Sequence, residues 1–461
     1  MQSDTGSASV MSEVGSYISK SGGAELPPEV IKKAKSHILD TLAAIVSGSK
    51  FKPGEFAKKY AKSQGGVEEA QVVGSPFVVS AINAALANGM MAHADETDDS
   101  NESSLTHPGC AIMPAALAVA EREGVDGMGL LKGVVTGYDI GCRMTKTLGV
   151  VELNSRHRCT HSIGGTFGAA AASASIMKLD AMKVGQVMDY AAQQASGLTY
   201  YTRDAEHVEK AFVFGGMPAR NGVTAAVFVH TGFTGVSDPF SGENNFLEAF
   251  SLNPRPERLA EELGRRYEVM FTNIKKFSVG SPIQAPLDAI LLLREKHGFT
   301  AEDVESIVVR LPAGGVSGRK VVHNRDMPDI NLQHILAVAL LDGDLTFEAA
   351  HSYERMKDPA VLEIRKRVKS LEDPGLDTSV TARQSIVEVT TKKGASFKEH
   401  VIGVRGTAQN PMTIGEIEKK CNELLKPVLG QDRARQLIDT IWNLERVKDV
   451  RELRPLLSSP L

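Results

Sequence analysis

The stretch Ala92–Pro108, AHADETDDSNESSLTHP, gathers His93, Asp95, Glu96, Asp98, Asp99, Glu102 and His107 into one polar loop between two apolar runs. Three kinds of loop have this composition. Charged residues in loops are most often simply solvated. A carboxylate cluster can also hold a divalent cation, although the EF-hand spacing, glycine at the sixth loop position and glutamate at the twelfth, is not met. A histidine poised by neighbouring carboxylates is a proton-transfer device near neutral pH. Residue types alone leave all three open. A second group, His157–Arg158–Cys159–Thr160–His161, runs into the glycine-rich Gly164–Gly165–Thr166–Phe167–Gly168. Two histidines four apart can share a helix face and bind zinc, but the glutamate of the zinc-protease motif is missing. A basic cap on a helix, whose first amides and dipole favour an anion, fits better. No strand precedes these glycines, which argues against a dinucleotide fingerprint. Lys210, in HVEKAFVFGGMPARNG, would ordinarily be a surface lysine. The run from Asn273 to Pro282, NIKKFSVGSP, combines Lys275, Lys276, Ser278 and Ser281 with turn residues and reads as a carboxylate clamp at the entry to a second domain.

The elements that must position these residues follow from apolar spacing. Val30, Ile31, Ala34, Ile38, Leu42, Ile45 and Val46 recur at helical period after Pro27–Pro28 and stop at Gly48. The same period recurs in Ala81–Met91, Cys110–Arg122, Met128–Met144, Gly164–Leu179, Val184–Ser196 and Gly222–His230, with alanine and glycine permitting close helix contacts. The first 271 residues therefore read as one large all-helical domain behind a polar N-terminal segment. Strand-like alternation first appears at Val308–Leu311, after a helix over Ala285–His297, and again in a hairpin, Ser385–Thr391 and Phe397–Val404, turned at Lys392–Ala395. With helices at Leu332–Leu341 and Asp358–Val368, residues 272–404 form a smaller α+β lobe, and a helical tail, 405–461, returns to the first domain.

The bulk numbers narrow the partners. A chain of 461 residues, 42% hydrophobic and 23% charged, is long enough for two cores and is not a disordered composition. A formal charge of −4, from 52 basic and 56 acidic residues, offers no field for nucleic acid or an anionic membrane. With aromatics at 5%, stacking platforms for bases or sugars are unsupported and small polar substrates fit better. Cys110, Cys142, Cys159 and Cys421 form no CxxC pair, which points to a reducing, cytoplasmic setting and away from iron–sulfur ligation. The first residues lack a basic region followed by an apolar one, so no secretory signal is read there. The small-residue run Ile163–Met177 is shorter than the ~20 residues that cross a bilayer and reads as a buried helix.

Taken in order, these segments resemble the MmgE/PrpD family, which includes 2-methylcitrate dehydratase, cis-aconitate decarboxylase and iminodisuccinate epimerase. The family pattern His-Ala-Leu-Asp-Phe-Asp-Asp-Thr, with a later His-Pro pair, matches His93–Ala94–Asp95–Glu96–Thr97–Asp98–Asp99–Ser100 and then His107–Pro108, so Glu96 stands for the first aspartate and Ser100 for the threonine. Lys210, followed by Arg220–Asn221–Gly222, resembles the family's active-site lysine, and Leu340–Leu341–Asp342–Gly343 and Asn410–Pro411–Met412 resemble further landmarks. Two positions depart. Cys159–Thr160 replaces a common His-Pro, with His161 two places later, and Pro282–Ile283–Gln284 replaces a common Tyr-Thr-His.

The resemblance implies a mostly α fold with a smaller α+β lid domain, a homodimer, no cofactor and no metal. It implies a lyase, first a hydro-lyase on a 2-methylcitrate-like polycarboxylate, with an isomerase, epimerase or decarboxylase as alternatives. The expected machinery is His107 as general acid or base, Asp99 or Glu96 fixing its tautomer, and Lys210 with Lys275 and Lys276 stabilising the enolate-like charge. Ser100, His161, Ser281 and Gln284 would orient the substrate. A metal-dependent hydrolase built on Asp95–Asp99 and His107, and a non-catalytic acid-binding protein, are the rival classes.

Overall fold

In a computed structural model, residues 9–313, 323–376 and 383–459 are described. The chain divides into two compact units. The helical unit comprises Met1–Ala94, Asp98–Thr272 and Leu424–Leu461; the α+β unit comprises Asp95–Thr97 and Asn273–Glu423. The fold is mostly α.

The helical unit begins with α1 (Val10–Ser21), α2 (Pro28–Gly48) and α3 (Lys52–Gln64). The polar N-terminal segment thus holds a helix. Its Met11, Val14 and Ile18 are buried one turn apart, and Ser9 caps it by accepting from the Ser12 amide. A two-residue antiparallel pair, β1 (Ala70–Gln71) with β2 (Val78–Val79), interrupts what the spacing predicts as all helix. Then come α4 (Ala81–Ala92), α5 (Gly109–Glu123), α6 (Gly127–Leu148), α7 (Val150–Ser155), α8 (Thr160–Ile176) and α9 (Ala181–Gln194). Helix α10 (Val208–Ala211) continues through a π-turn, Phe212–Gly216, into α11 (Met217–His230).

Helix α8 is buried along its whole length and packs against α5, α6, α9 and α11. Its glycines serve packing, not a ligand: a Cβ on Gly141 of α6 would sit 2.6 Å from the Gly164 carbonyl oxygen. The same close approach joins α4 to the π-turn, where a Cβ on Gly215 would lie 2.0 Å from the Gly89 oxygen. Gly215→Ala should therefore cost about 1–3 kcal/mol by overpacking. Gly415→Ala, where the added atom meets open space, should be neutral or stabilising. Thermal melts of the two variants check this, and a Gly215→Ala protein as stable as wild type would refute the reading.

The α+β unit holds a sheet ordered β4-β3-β5-β6, from β3 (Val304–Pro312), β4 (Val368–Asp373), β5 (Ser385–Thr391) and β6 (Ser396–Val401). β3 runs parallel to β4 and antiparallel to β5, and β5–β6 is a hairpin. Burial in β5 alternates strictly, so one face meets a core of Val387, Val389, Leu287, Ile290 and Leu336. α12 (Ser281–His297) packs on that hairpin, and α13 (Leu332–Asp342) joins it and α14 (Pro359–Arg365). α14 stops before Val368, which is the first residue of β4 and not the end of a helix. The chain returns to the helical unit at Leu424, within α15 (Ile414–Leu429). Residues 405–423 stay with the α+β unit, where the Arg405 amide donates to Asp288 and the Ile274 amide to the Gly406 carbonyl.

The short excursion Asp95–Thr97 is held in the α+β unit by three cations. His351 lies 2.9 Å from Asp95, Lys275 donates to the Glu96 carbonyl at 2.7 Å, and Lys420 donates to the Thr97 carbonyl at 3.0 Å. Burial disfavours a charged His351, but Asp95 and Asp329 outweigh it and raise the imidazole to about 9. The folded value exceeds the ordinary 6.5, so this stabilisation is complete below that pH and is lost as pH rises through about 9, on the order of a few kcal/mol. Melting temperature should fall from pH 6.5 to 9 in wild type and fall less in Asp95→Asn. Equal slopes would refute it.

Candidate active site

The loop after α4 is buried from His93 to Asn101 and again at Thr106 to Pro108, with only Ser103 exposed, which removes the solvated reading for its aspartates and histidines. Its carboxylates part ways. Asp98 accepts from two imidazoles at once, His93 Nδ1 at 3.0 Å through one oxygen and His107 Nδ1 at 3.0 Å through the other. Asp99, expected beside His107, instead takes the backbone N–H of Gly109 at the start of α5, His37 Nδ1 at 2.8 Å and the Tyr138 hydroxyl at 2.6 Å. It caps a helix and ties α2 to α6. Glu96, the other expected partner, lies in the α+β unit with its carboxylate 3.7 Å from Lys275. The residue that orients His107 is the neighbour the sequence reading passed over.

Around this pair the helical unit assembles a cluster. His161, second residue of α8, has its ring 5.1 Å from that of His107, and His93 lies 5.2 Å from His107. Phe214, from the π-turn, stacks on His161 at 3.9 Å and on His93 at 4.4 Å. Lys210 Nζ sits 5.1 Å from the Phe214 ring centre. Asp204 accepts from the Glu209 and Lys210 amides and so fixes the start of α10. His207, buried with φ +60°, places its ring 5.2 Å from His93. Burial, and then the nearby His107, His93 and Lys210, push the His161 imidazole well below the ordinary value, so it is neutral. Neither His207 nor Phe214 was singled out by the sequence reading; a histidine three residues ahead of Lys210 was the available signal.

Other expectations land elsewhere. Ser100 is buried in the helical unit two residues past Asp98. His157 is exposed, with φ +59°, and precedes α8, so it shares no helix face with His161 and the zinc reading fails. In the α+β unit, Lys276 is half-exposed, 3.9 Å from Asp288 and over the Phe277 ring, unlike the buried Lys275. Ser281 opens α12 and is buried. Gln284 staples its own loop: its amide donates to the Phe277 and Val279 carbonyls and accepts from the Phe277 amide, which leaves no N–H for a substrate. Asp95, Asp98 and Asp99 point to three different partners, so they form no shared carboxylate cage. In the helical unit His93, Asp98 and Cys110 offer ligand atoms within 4.8 Å of one another, but Asp98 already serves two imidazoles.

In the helical unit a buried carboxylate is thus shared by two histidines, with a lysine near the same aromatic ring. The MmgE/PrpD N-terminal domain model matches residues 12–259 and the MmgE/PrpD C-terminal domain model residues 277–446. The chain belongs to the MmgE/PrpD family, and it is a lyase or isomerase. Human cis-aconitate decarboxylase is 25% identical over 449 residues, covering 94% of this chain and 92% of that protein. The cis-aconitate decarboxylase-like protein oryM of Aspergillus oryzae is 23% identical over 99% of both chains. The 2-methylcitrate dehydratase-like protein oryR of the same organism is 25% identical over 169 residues, 34% of each. Among the described residues no helix is long and apolar enough to cross a membrane.

Proposed function

We propose that this enzyme is a lyase that handles the proton on a carbon next to a carboxylate in a small polycarboxylic acid. The observation that carries the reading is the Asp98 carboxylate shared by the Nδ1 atoms of His93 and His107. A carboxylate on Nδ1–H fixes the tautomer, leaves Nε2 as the basic nitrogen and stabilises the imidazolium that forms there. Taking a proton from that carbon, or losing carbon dioxide from a neighbouring one, leaves an enolate-like anion that fixed positive charge must stabilise. Lys210 supplies that charge, and neutral His161 adds a hydrogen bond without more. With His107 neutral, Asp98 and Lys210 balance. Protonating His107 leaves one net positive charge, which suits an anionic substrate.

Similarity over nearly the whole chain to proteins named cis-aconitate decarboxylase favours decarboxylation. The bond to the departing carboxylate breaks, its electron pair enters the conjugated acid, and His107 returns a proton to carbon. Dehydration is the second reading, supported by the shorter match to the dehydratase-like protein. There His107 takes the carbon-bound proton, the C–H electron pair forms the double bond as the C–O bond breaks, and His107 passes that proton to the leaving hydroxyl, which departs as water.

Chelator-treated protein, followed by proton NMR in deuterated buffer with cis-aconitate, citrate and 2-methylcitrate, should turn over one of them and place deuterium at the carbon beside the carboxylate. Silence across the panel would sink the reading. His107→Ala should lower that turnover by about 10²–10⁴-fold; survival within tenfold would remove His107 from the mechanism.

A further inference from the structure

We infer that Phe214 is a positioning residue of this site, its flat ring setting the plane and the dryness of His161 beside His107. The inference deepens the lyase reading and rests on it. Single π-turns inside helices recur at functional sites because the extra residue re-aims a side chain that an α-helix would place elsewhere. Here the π-turn carries Phe214 to the middle of the cluster. The ring is nearly parallel to His161, 16° between planes at 3.9 Å, and to His93, 13° at 4.4 Å. It meets His107 edge-on at 5.5 Å and Tyr201 edge-on at 4.8 Å. Lys210, one turn earlier on the same helix, has its ammonium 5.1 Å from the ring centre, within cation–π range.

The backbone beneath the ring is pinned from two sides. The Phe214 carbonyl accepts from the Cys110 thiol of α5 at 3.4 Å, and Gly215 and Gly216 press onto Gly89 and Met90 of α4. α4 ends at Ala92, one residue before His93, and α5 begins at Gly109, two residues after His107. The ring is thereby indexed to both histidines that share Asp98. An aliphatic side chain of similar volume would fill the space but offer no flat face to either imidazole.

The consequence lies in how His161 titrates. The charged and titratable groups facing it are His107 ahead of α5, His93 after α4, Lys210 on α10 and Asp98 on the loop; burial first, then His107, His93 and Lys210, hold its imidazole neutral, and Asp98 alone pulls the other way. Phe214→Leu opens one face of the ring to water and lets it tilt, so His161 should gain a proton at higher pH than in wild type.

The test uses full-length protein with 15N-labelled histidine, titrated by NMR from pH 5 to 8.5, with turnover measured on the acid that wild type accepts. In wild type His161 should stay neutral throughout. In Phe214→Leu it should titrate inside the range, with kcat down roughly 10- to 100-fold and KM nearly unchanged, the signature of misplacement. Phe214→Tyr, which keeps the flat face, should restore both. If Phe214→Leu does not fold, Phe214→Met takes its place with the same expectations. Wild-type titration and turnover in the aliphatic variant would overturn the inference, as would equal damage in Phe214→Tyr. The titration needs no substrate, so a wild type that turns over none of the acids would overturn the lyase reading while the Phe214 measurement still stands.

Discussion

Asp98→Asn should lose roughly 10⁴-fold in turnover, the scale seen when an orienting carboxylate beside a catalytic histidine becomes an amide. The geometry explains why the loss is so large. Each Asp98 oxygen accepts one imidazole Nδ1–H, from His93 and from His107. An asparagine has one acceptor oxygen and an amide that must donate, so one imidazole has to flip its tautomer and present Nδ1 as a lone pair. If that imidazole is His107, its Nε2 becomes an N–H and can no longer take a proton. Even with the other arrangement, the imidazolium formed during reaction loses its counter-charge. Initial rates with the accepted acid, beside a thermal melt showing an intact fold, check this. Turnover within tenfold of wild type would mean that Asp98 only packs.

The adjacent residue should behave in the opposite way. Asp99→Ala should cost about 3–5 kcal/mol of stability, the range for breaking a buried ionic or hydrogen-bonded pair from one side, while the molecules that do fold keep turnover within a few-fold. Asp99 satisfies the His37 ring, the Tyr138 hydroxyl and the Gly109 amide, all in the interior. Burial, aided by Lys33, holds His37 neutral, so it comes to Asp99 as an Nδ1–H donor, and burial with Asp99 raises Tyr138 well above its ordinary value. Removing the acceptor strands three donors where water does not reach. Lys33, which burial lowers and Asp99 and Asp40 partly sustain, loses one of its two counter-charges. Chemical denaturation with activity per folded molecule separates the outcomes; a stable but inactive Asp99→Ala would return Asp99 to the catalytic machinery.

Period carried most of the fold. The helices α2, α4, α5, α6, α8 and α9, and the β5–β6 hairpin, repeat apolar residues at spacings that only one element type satisfies, so they were legible. α1 was not, because serine and glycine dilute an apolar stripe of only a few residues. α3 was missed because its large apolar residues, Phe56 and Tyr60, are exposed and its buried positions are Pro53, Gly54, Ala57 and Ala61. The site was legible as a place but not as a set of roles. Residues 93–101 run through irregular backbone, where no period says which way a side chain points, and three aspartates within five positions find three different partners. Phe214 was invisible for a related reason: a π-turn breaks the helical count, so spacing alone would have turned that ring elsewhere.

The helical unit is also stitched across the α+β unit in sequence. The Gly127 amide donates to the Val447 carbonyl, the Val450 amide to the Val125 carbonyl and the Gly74 amide to the Leu457 carbonyl. During synthesis at ~5–20 residues per second, the helices around Val125 wait on the order of tens of seconds before those partners emerge from the ribosome. Throughout that interval the face that Leu444, Val450 and Leu457 will cover stands open to water. The newborn chain thus passes through a stage in which its histidine cluster has been translated but its housing has not, and whatever shields nascent chains from sticking to one another governs how much finished enzyme a cell obtains.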